Sequence, residues 1–183
     1  MPDLTYPLRK LARETRGAEI AEAAAVLPIM FMILLGIFWF GQAFSIYGAI
    51  TRAAQDGARA GALPSCATCN SPSNFAANAV AAVQNDLLAS KLDFSRAQYP
   101  SSPPAMLSCS NGSAVPCNGA STNVCVQASV QLATAEQIAQ GANGLCGISV
   151  SLSYPYRFWL PFTSISRQTI WITASSRMRM ENQ

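Results

Sequence analysis

Apolar and polar positions are distributed along this chain in two different ways. Residues 23–51 carry no charged side chain over twenty-nine consecutive positions, and about 20 apolar residues let a helix cross a hydrocarbon core. The pattern predicts a membrane-spanning segment. It runs on without a breaker from Tyr47 to Leu63, where Ala53, Gly57 and Gly61 recur at every fourth position beside Ala54 and Ala58. A stripe of small residues permits close approach of a second backbone, either a helix of another subunit or the chain's own sheet. One continuous helix over residues 18–61 would be roughly 65 Å long, with half of it beyond the membrane as a spine. Pro28 denies one backbone carbonyl its donor, so a kink or local loosening is expected there. Trp39, Tyr47 and the phenylalanines between them read either as an interfacial aromatic belt or as lipid-facing bulk.

Beyond residue 63 the periods are those of a water-soluble domain. A Pro- and Ser-rich turn, residues 64–72, ends the spine. Phe75, Ala79, Val80, Val83, Leu87 and Leu88 then mark a helical period within residues 74–92, with Asp86 and Lys91 off the stripe. Residues 95–123 are rich in Ser, Pro, Asn and Gly and read as an irregular loop tied down by Cys109, Cys117 and Cys125. Strict alternation over residues 124–132 and 148–154 predicts two strands with one buried face each, and residues 169–174 a third. A turn is expected over residues 154–161 and a short helix over residues 135–141. Three strands with an apolar face need a cover, and the spine is the long helix available. The expected fold class is α+β. Residues 1–17 form a cytoplasmic leader, 18–63 a transmembrane helix and spine, and 64–183 an extracytoplasmic domain with a second helix and an antiparallel sheet of about three strands.

Composition narrows the chemistry. Half of the 183 residues are hydrophobic, 11% are charged and the net charge is +3, too small and too confined to the ends for a nucleic-acid footprint. There is no histidine, which removes Ser-His-Asp and Cys-His nucleophiles, histidine-bound zinc and imidazole pH switching. Six cysteines, Cys66, Cys69, Cys109, Cys117, Cys125 and Cys146, all follow the span, as in a domain exported to an oxidising compartment and stapled by disulfides. Their pairing is open. Cys66 and Cys69 have the spacing of a redox motif, but Pro64 and Pro72 frame a turn rather than a strand and helix, so a structural disulfide is favoured over catalysis or four-cysteine zinc. Asp86, Asp93, Glu136 and Glu181 are too scattered in sequence to form an acid/base pair. Arg157, Arg167, Arg177 and Arg179 read as a solvated face or subunit contact. No enzyme activity, cofactor, metal, nucleic acid or small-molecule substrate is indicated.

Before the span, Arg9, Lys10, Arg13 and Arg16 outnumber Asp3 and Glu14, so the positive-inside bias keeps the N-terminus cytoplasmic and exports the C-terminal domain. The small-residue step Arg16-Gly17-Ala18 precedes the apolar run, whereas a secretory signal would place it afterwards. Two readings stand: cleavage at Gly17 with the helix retained, or an uncleaved signal anchor. Glu22 at the membrane boundary divides in the same way. If cleavage exposes the Ala18 ammonium, Glu22 of one subunit can neutralise Ala18 of the next; otherwise Glu19 and Glu22 lie in the headgroup layer, favoured by the helix dipole.

Arg16-Gly17, Glu22, Val26-Leu27-Pro28, Gly36, Phe40-Gly41, Ala43-Phe44, Ala53-Ala54 and Asp56-Gly57-Ala58-Arg59 together resemble the TadE-like pseudopilins of the tight-adherence (Tad, or Flp) type IV pilus. Tyr154-Pro155-Tyr156-Arg157 and the run over residues 172–179 are similar to the ending of longer members. The resemblance covers about a third of the chain. It implies a prepilin peptidase that cleaves after Gly17 and requires Glu22, and partners among other pilin subunits and the Tad assembly platform. It also implies a single-pass inner-membrane subunit that enters the pilus after processing, for adhesion or secretion. Trp39 and Gln42 depart from the acidic residue and arginine of many members, and the cysteines are no part of the pattern. The competing class is a signal-anchored extracytoplasmic binding protein that never polymerises. A third, an exported thiol-disulfide oxidoreductase, would depend on Cys66.

Overall fold

The computed structural model describes residues 15–63, 72–117, 122–133, 145–157 and 169–180. Helix α1 spans Thr15–Ala62 and α2 spans Pro72–Ala89; strands β1 (Cys125–Gln131), β2 (Cys146–Arg157) and β3 (Thr169–Arg179) follow. The strands form one antiparallel sheet in the order β1-β2-β3, as the α+β reading requires. The chain divides into two compact units, residues 1–43 and 44–183. The first contains the apolar start of α1. The second contains the end of α1, α2 and the sheet.

In the first unit α1 continues through Pro28 without interruption. The expected loosening therefore does not break the helix. The large apolar side chains from Ile20 to Ile37 stand outward all around it, the distribution of a helix meant for a non-aqueous surrounding. An 18-residue window within Glu19–Ala62 has a mean hydropathy of 2.4 with none of it buried, long and apolar enough to cross a membrane.

The second unit is built where α1 changes character. Ile50, Ala53, Ala54 and Ala58 are fully buried. A side chain at Gly57 would meet Val83 of α2 at 2.5 Å and the Ala79 carbonyl at 3.1 Å, and one at Gly61 would meet Ile148 of β2 at 2.5 Å and the Phe75 carbonyl at 3.2 Å. Because Gly61 faces Phe75 and Ala79 while Gly57 faces Ala79 and Val83, the two helices run antiparallel. Their small residues bring the backbones together so that both helices, and not the spine alone, cover Ile148, Val150 and Leu152.

Helix α2 ends at Ala89, three residues before the expected Leu92. Lys91 adopts φ 58°, Leu92 N–H donates to the Leu87 carbonyl at 2.8 Å and Lys91 N–H to Leu88 at 3.0 Å. This is a Schellman stop, with Leu92 folded back toward the core.

The strands depart from the expected boundaries in an informative way. Strand β2 runs on through Pro155 to Arg157, paired with β3 along its whole length, where a turn was expected from residue 154. Proline lacks a donor and is tolerated only where none is needed. Along β2, Ser151 and Ser149 pair with β1 and Ser153 exchanges both backbone bonds with Gln98 at 2.8 and 2.9 Å, so the nitrogen of Pro155 faces that same side, beyond the start of β1. The serines of β2 are buried too: Ser149, Ser151 and Ser153 are at most 3% exposed, so β2 has two buried faces rather than one. On β1, Cys125, Val126 and Gln127 are all buried, and a bulge at Ala128 and Ser129, the latter at φ 54°, shifts the register before Val130. Strand β3 extends five residues past Ala174.

The segment expected to be irregular carries local order. Residues 94–96 form one 3-10 turn, capped by Asp93, whose carboxylate accepts from Ser95 N–H at 2.9 Å and Ser95 Oγ at 2.8 Å. Leu107 and Ala114 pair across a tight turn. Disulfides Cys109–Cys146 and Cys117–Cys125 tie this segment to β2 and β1. Gln127 of β1 donates from Nε2 to the carbonyls of Val115 (2.6 Å) and Pro104 (3.3 Å). Cys66, Cys69, the helix expected over residues 135–141, and Glu136, Arg167 and Glu181 lie outside the described residues.

Candidate functional site

Gly17, Ala18 and Glu22 lie in the first two turns of α1. Gly17 and Glu22 are exposed, and a side chain at position 17 would meet nothing within 4 Å. Residues 18 and 22, one turn apart, share a face with about 6 Å of rise between them. Toward the C-terminus the helix carries no charged side chain until Arg52. The N-terminal site is therefore a glycine and a carboxylate presented at the head of a long, uncovered apolar helix.

The small-residue stripe is not part of that exposed surface. Ala53, Gly57 and Gly61 face α2 and β2 within the second unit, so of the two partners open in the sequence, the chain's own fold occupies it. Four of the six cysteines are joined in the two disulfides above and support the loop over the sheet.

One constellation was invisible in the sequence. Asp86 of α2 comes against Asp56 of α1, and burial, followed by the hydrogen bond and charge of Asp56, pushes its carboxyl above the usual range. Asp86 Oδ2 is buried without a partner. The antiparallel register of α1 on α2 creates the pair, and residue spacing thirty positions apart carried no signal for it. Asp93 behaves oppositely: the hydroxyl and N–H of Ser95, with the Arg96 charge, hold it below the usual range. Arg96 also lies 5.8 Å from the ring centre of Tyr154, whose hydroxyl accepts from Asp93 N–H at 3.2 Å.

A cavity of about 420 Å³ lies beside the start of the second unit, lined by Phe44, Ser45, Ile46, Arg52, Ser90 and Leu92 among others. It contains one cation and two hydroxyls but no carboxylate or thiol with which to do acid/base or nucleophilic work. Among the described residues no group of three His, Cys, Asp or Glu side chains could hold a metal ion. Arg157 donates from Nε to Thr169 at 3.0 Å, and Arg177 and Arg179 stand exposed on β3.

Fold and site together define an α+β domain carried on a long N-terminal helix that has the composition of a membrane anchor. Residues 17–59 match the TadE-like protein family, a stretch that begins at Gly17, includes Glu22 and ends at Arg59, between the two glycines of the stripe. No curated protein and no solved structure matches the chain.

Proposed function

We propose that this chain is a minor pilin or pseudopilin of a Tad-type pilus. A prepilin peptidase cleaves it after Gly17; the mature chain stays in the inner membrane by its apolar helix, with the N-terminus cytoplasmic and residues 64–183 on the far side. From there it joins other pilin subunits at the assembly platform for adhesion or secretion. Its role is structural. Glu22 neutralises the Ala18 ammonium of a neighbouring subunit in the low-dielectric layer, where an unpaired charge is costly.

The observation that carries this reading is the family match, which starts at Gly17 and runs through the apolar helix. Packing adds support. Because the stripe at Ala53, Gly57 and Gly61 is occupied within the subunit, the surface left for neighbours is the belt of Ile, Leu, Met and Phe side chains from Ile20 to Phe44. The test is to shear cells carrying the tagged chain and its Glu22→Ala variant. The expected result is the wild-type chain in the pilus fraction and the variant retained in the membrane. Equal absence of both from that fraction, with location and activity intact, would instead identify a signal-anchored binding protein.

A further inference from the structure

The outer face of the sheet holds three buried polar atoms that no group among the described residues satisfies: Gln127 Oε1, Ser149 Oγ and Ser151 Oγ. Their residues are 2%, 1% and 1% exposed. Register places them together. Gln127 lies directly opposite Ser149 on the neighbouring strand, and Ser151 is two residues along β2 from Ser149, opposite Cys125. Residues directly opposite have Cβ atoms about 5 Å apart, and residues two apart on one strand face the same side about 6.6 Å apart. The next serine in the row shows what a satisfied rung looks like: Ser153 Oγ meets Thr173 Oγ1 of β3 at 2.8 Å. At the other two rungs β3 presents the exposed Ser175 and Arg177, and neither reaches across.

We propose that Gln127, Ser149 and Ser151 form a binding site for an ordered internal water. The chemistry selects water over a cation. The donor set is two hydroxyls and one amide oxygen with no carboxylate, and a hard cation wants several anionic or carbonyl oxygens. The residue opposite Ser149 on β3 is the positive Arg177. A water accepts from both serine hydroxyls and donates one hydrogen to Gln127 Oε1, giving it three partners, the usual number for a buried water. Two hydrogen bonds of about 2.8 Å meeting at the roughly tetrahedral angle of a water bridge hydroxyl oxygens about 4.6 Å apart, a span within reach of serines whose Cβ atoms are about 6.6 Å apart. The Gln127 amide then bridges the water to the Pro104 and Val115 carbonyls, which its Nε2 already holds, so the site links β1 and β2 to the disulfide-tied segment.

The sign of two conservative substitutions tests this. With the full chain in detergent micelles, Ser149→Ala and Ser151→Ala should each lower Tm by about 2–4 °C, as loss of one satisfied hydrogen bond of about 1 kcal/mol does in a chain of this size. The double variant should lose less than the sum, because both hydroxyls serve one molecule. An unchanged or raised Tm for either alanine would overturn the proposal, since removing an unsatisfied hydroxyl relieves a desolvation cost. Full additivity would also overturn it by assigning the hydroxyls to separate partners. A crystal structure gives a readout independent of stability: an ordered water within about 3.2 Å of all three oxygens supports the site, and contact of the side chains with one another instead removes it.

Discussion

From Ile20 to Phe44, the exposed large apolar side chains of α1 show 43–74% of their surface, whereas from Ile50 to Ala62 the same helix buries Ile50, Ala53, Ala54 and Ala58 completely. The first stretch is bulky and faces outward; the second is small and faces inward. Hydrophobicity alone does not distinguish them, because alanine-rich and leucine-rich turns both read as apolar. Size does. Alanine and glycine bring α2 and β2 against the helix backbone and are satisfied inside the chain. Isoleucine, leucine and phenylalanine stand exposed instead, and an apolar patch of that extent in water favours association. A single helix thus contributes buried core to the second unit and exposed apolar surface to the first.

The contrast can be broken most severely by removing what holds the second unit together. Cys109→Ser with Cys146→Ser opens a disulfide that closes a separation of 37 residues. On the chain-entropy account it should destabilise the folded domain by about 3–4 kcal/mol, seen as a large drop in Tm of the full chain while the helicity of the first unit persists in far-UV circular dichroism. Next in size is a matched pair of glycine substitutions. Gly57→Val forces a β-branched side chain into Val83 and the Ala79 carbonyl and should cost about 1–3 kcal/mol. Gly36→Val, where an added side chain meets nothing within 4 Å, should change Tm of the detergent-solubilised monomer by no more than about 0.5 kcal/mol equivalent. Equal effects would mean that α1 packs alike in both stretches.

The smallest effect concerns the Asp56–Asp86 contact. Asp86 is raised from its ordinary value of 3.8, so the folded state holds a proton more tightly than the unfolded state. Its contribution is fully present below the unfolded value and is lost as pH rises through the folded one. Asp86→Asn should therefore raise Tm at pH 7, with the gain shrinking toward zero below about pH 4. Thermal scans of both proteins across that range check the sign, and a constant difference would show that the two carboxyls do not interact.

What could be read from residue order follows the same division. The exposed half of α1 was legible because a long charge-free run has few alternative readings. The period of α2 and the alternation of the strands gave their existence and type. Their ends were less accessible. Pro155 reads as a turn until it is known that β1 begins at Cys125, opposite Ser151, and does not pair with residue 155. The polar run after Ala174 reads as surface, yet it pairs with β2 as far as Arg179. Ser149 and Ser151 read as a solvent face because alternation reports one covered side and cannot report a loop folded over the other. The partners Cys109–Cys146 and Cys117–Cys125, and the meeting of Asp56 with Asp86, depend on three-dimensional register that local spacing does not encode. At the candidate site the reverse holds: spacing left Gly17 and Glu22 open between processing and a plain signal anchor, and the resemblance to TadE-like chains singled them out, because the proposed chemistry acts on the chain at the head of the helix rather than on a folded constellation.

The central claim is that Gly17-Ala18 and Glu22 are processing and docking chemistry in front of an exposed helix. Intact-mass determination of the chain purified from cells with and without a prepilin peptidase tests it most directly. A mature species beginning at Ala18 only when the peptidase is present, and full-length protein for Gly17→Ala and Glu22→Ala, is the predicted result. A full-length wild-type chain from peptidase-positive cells would contradict it.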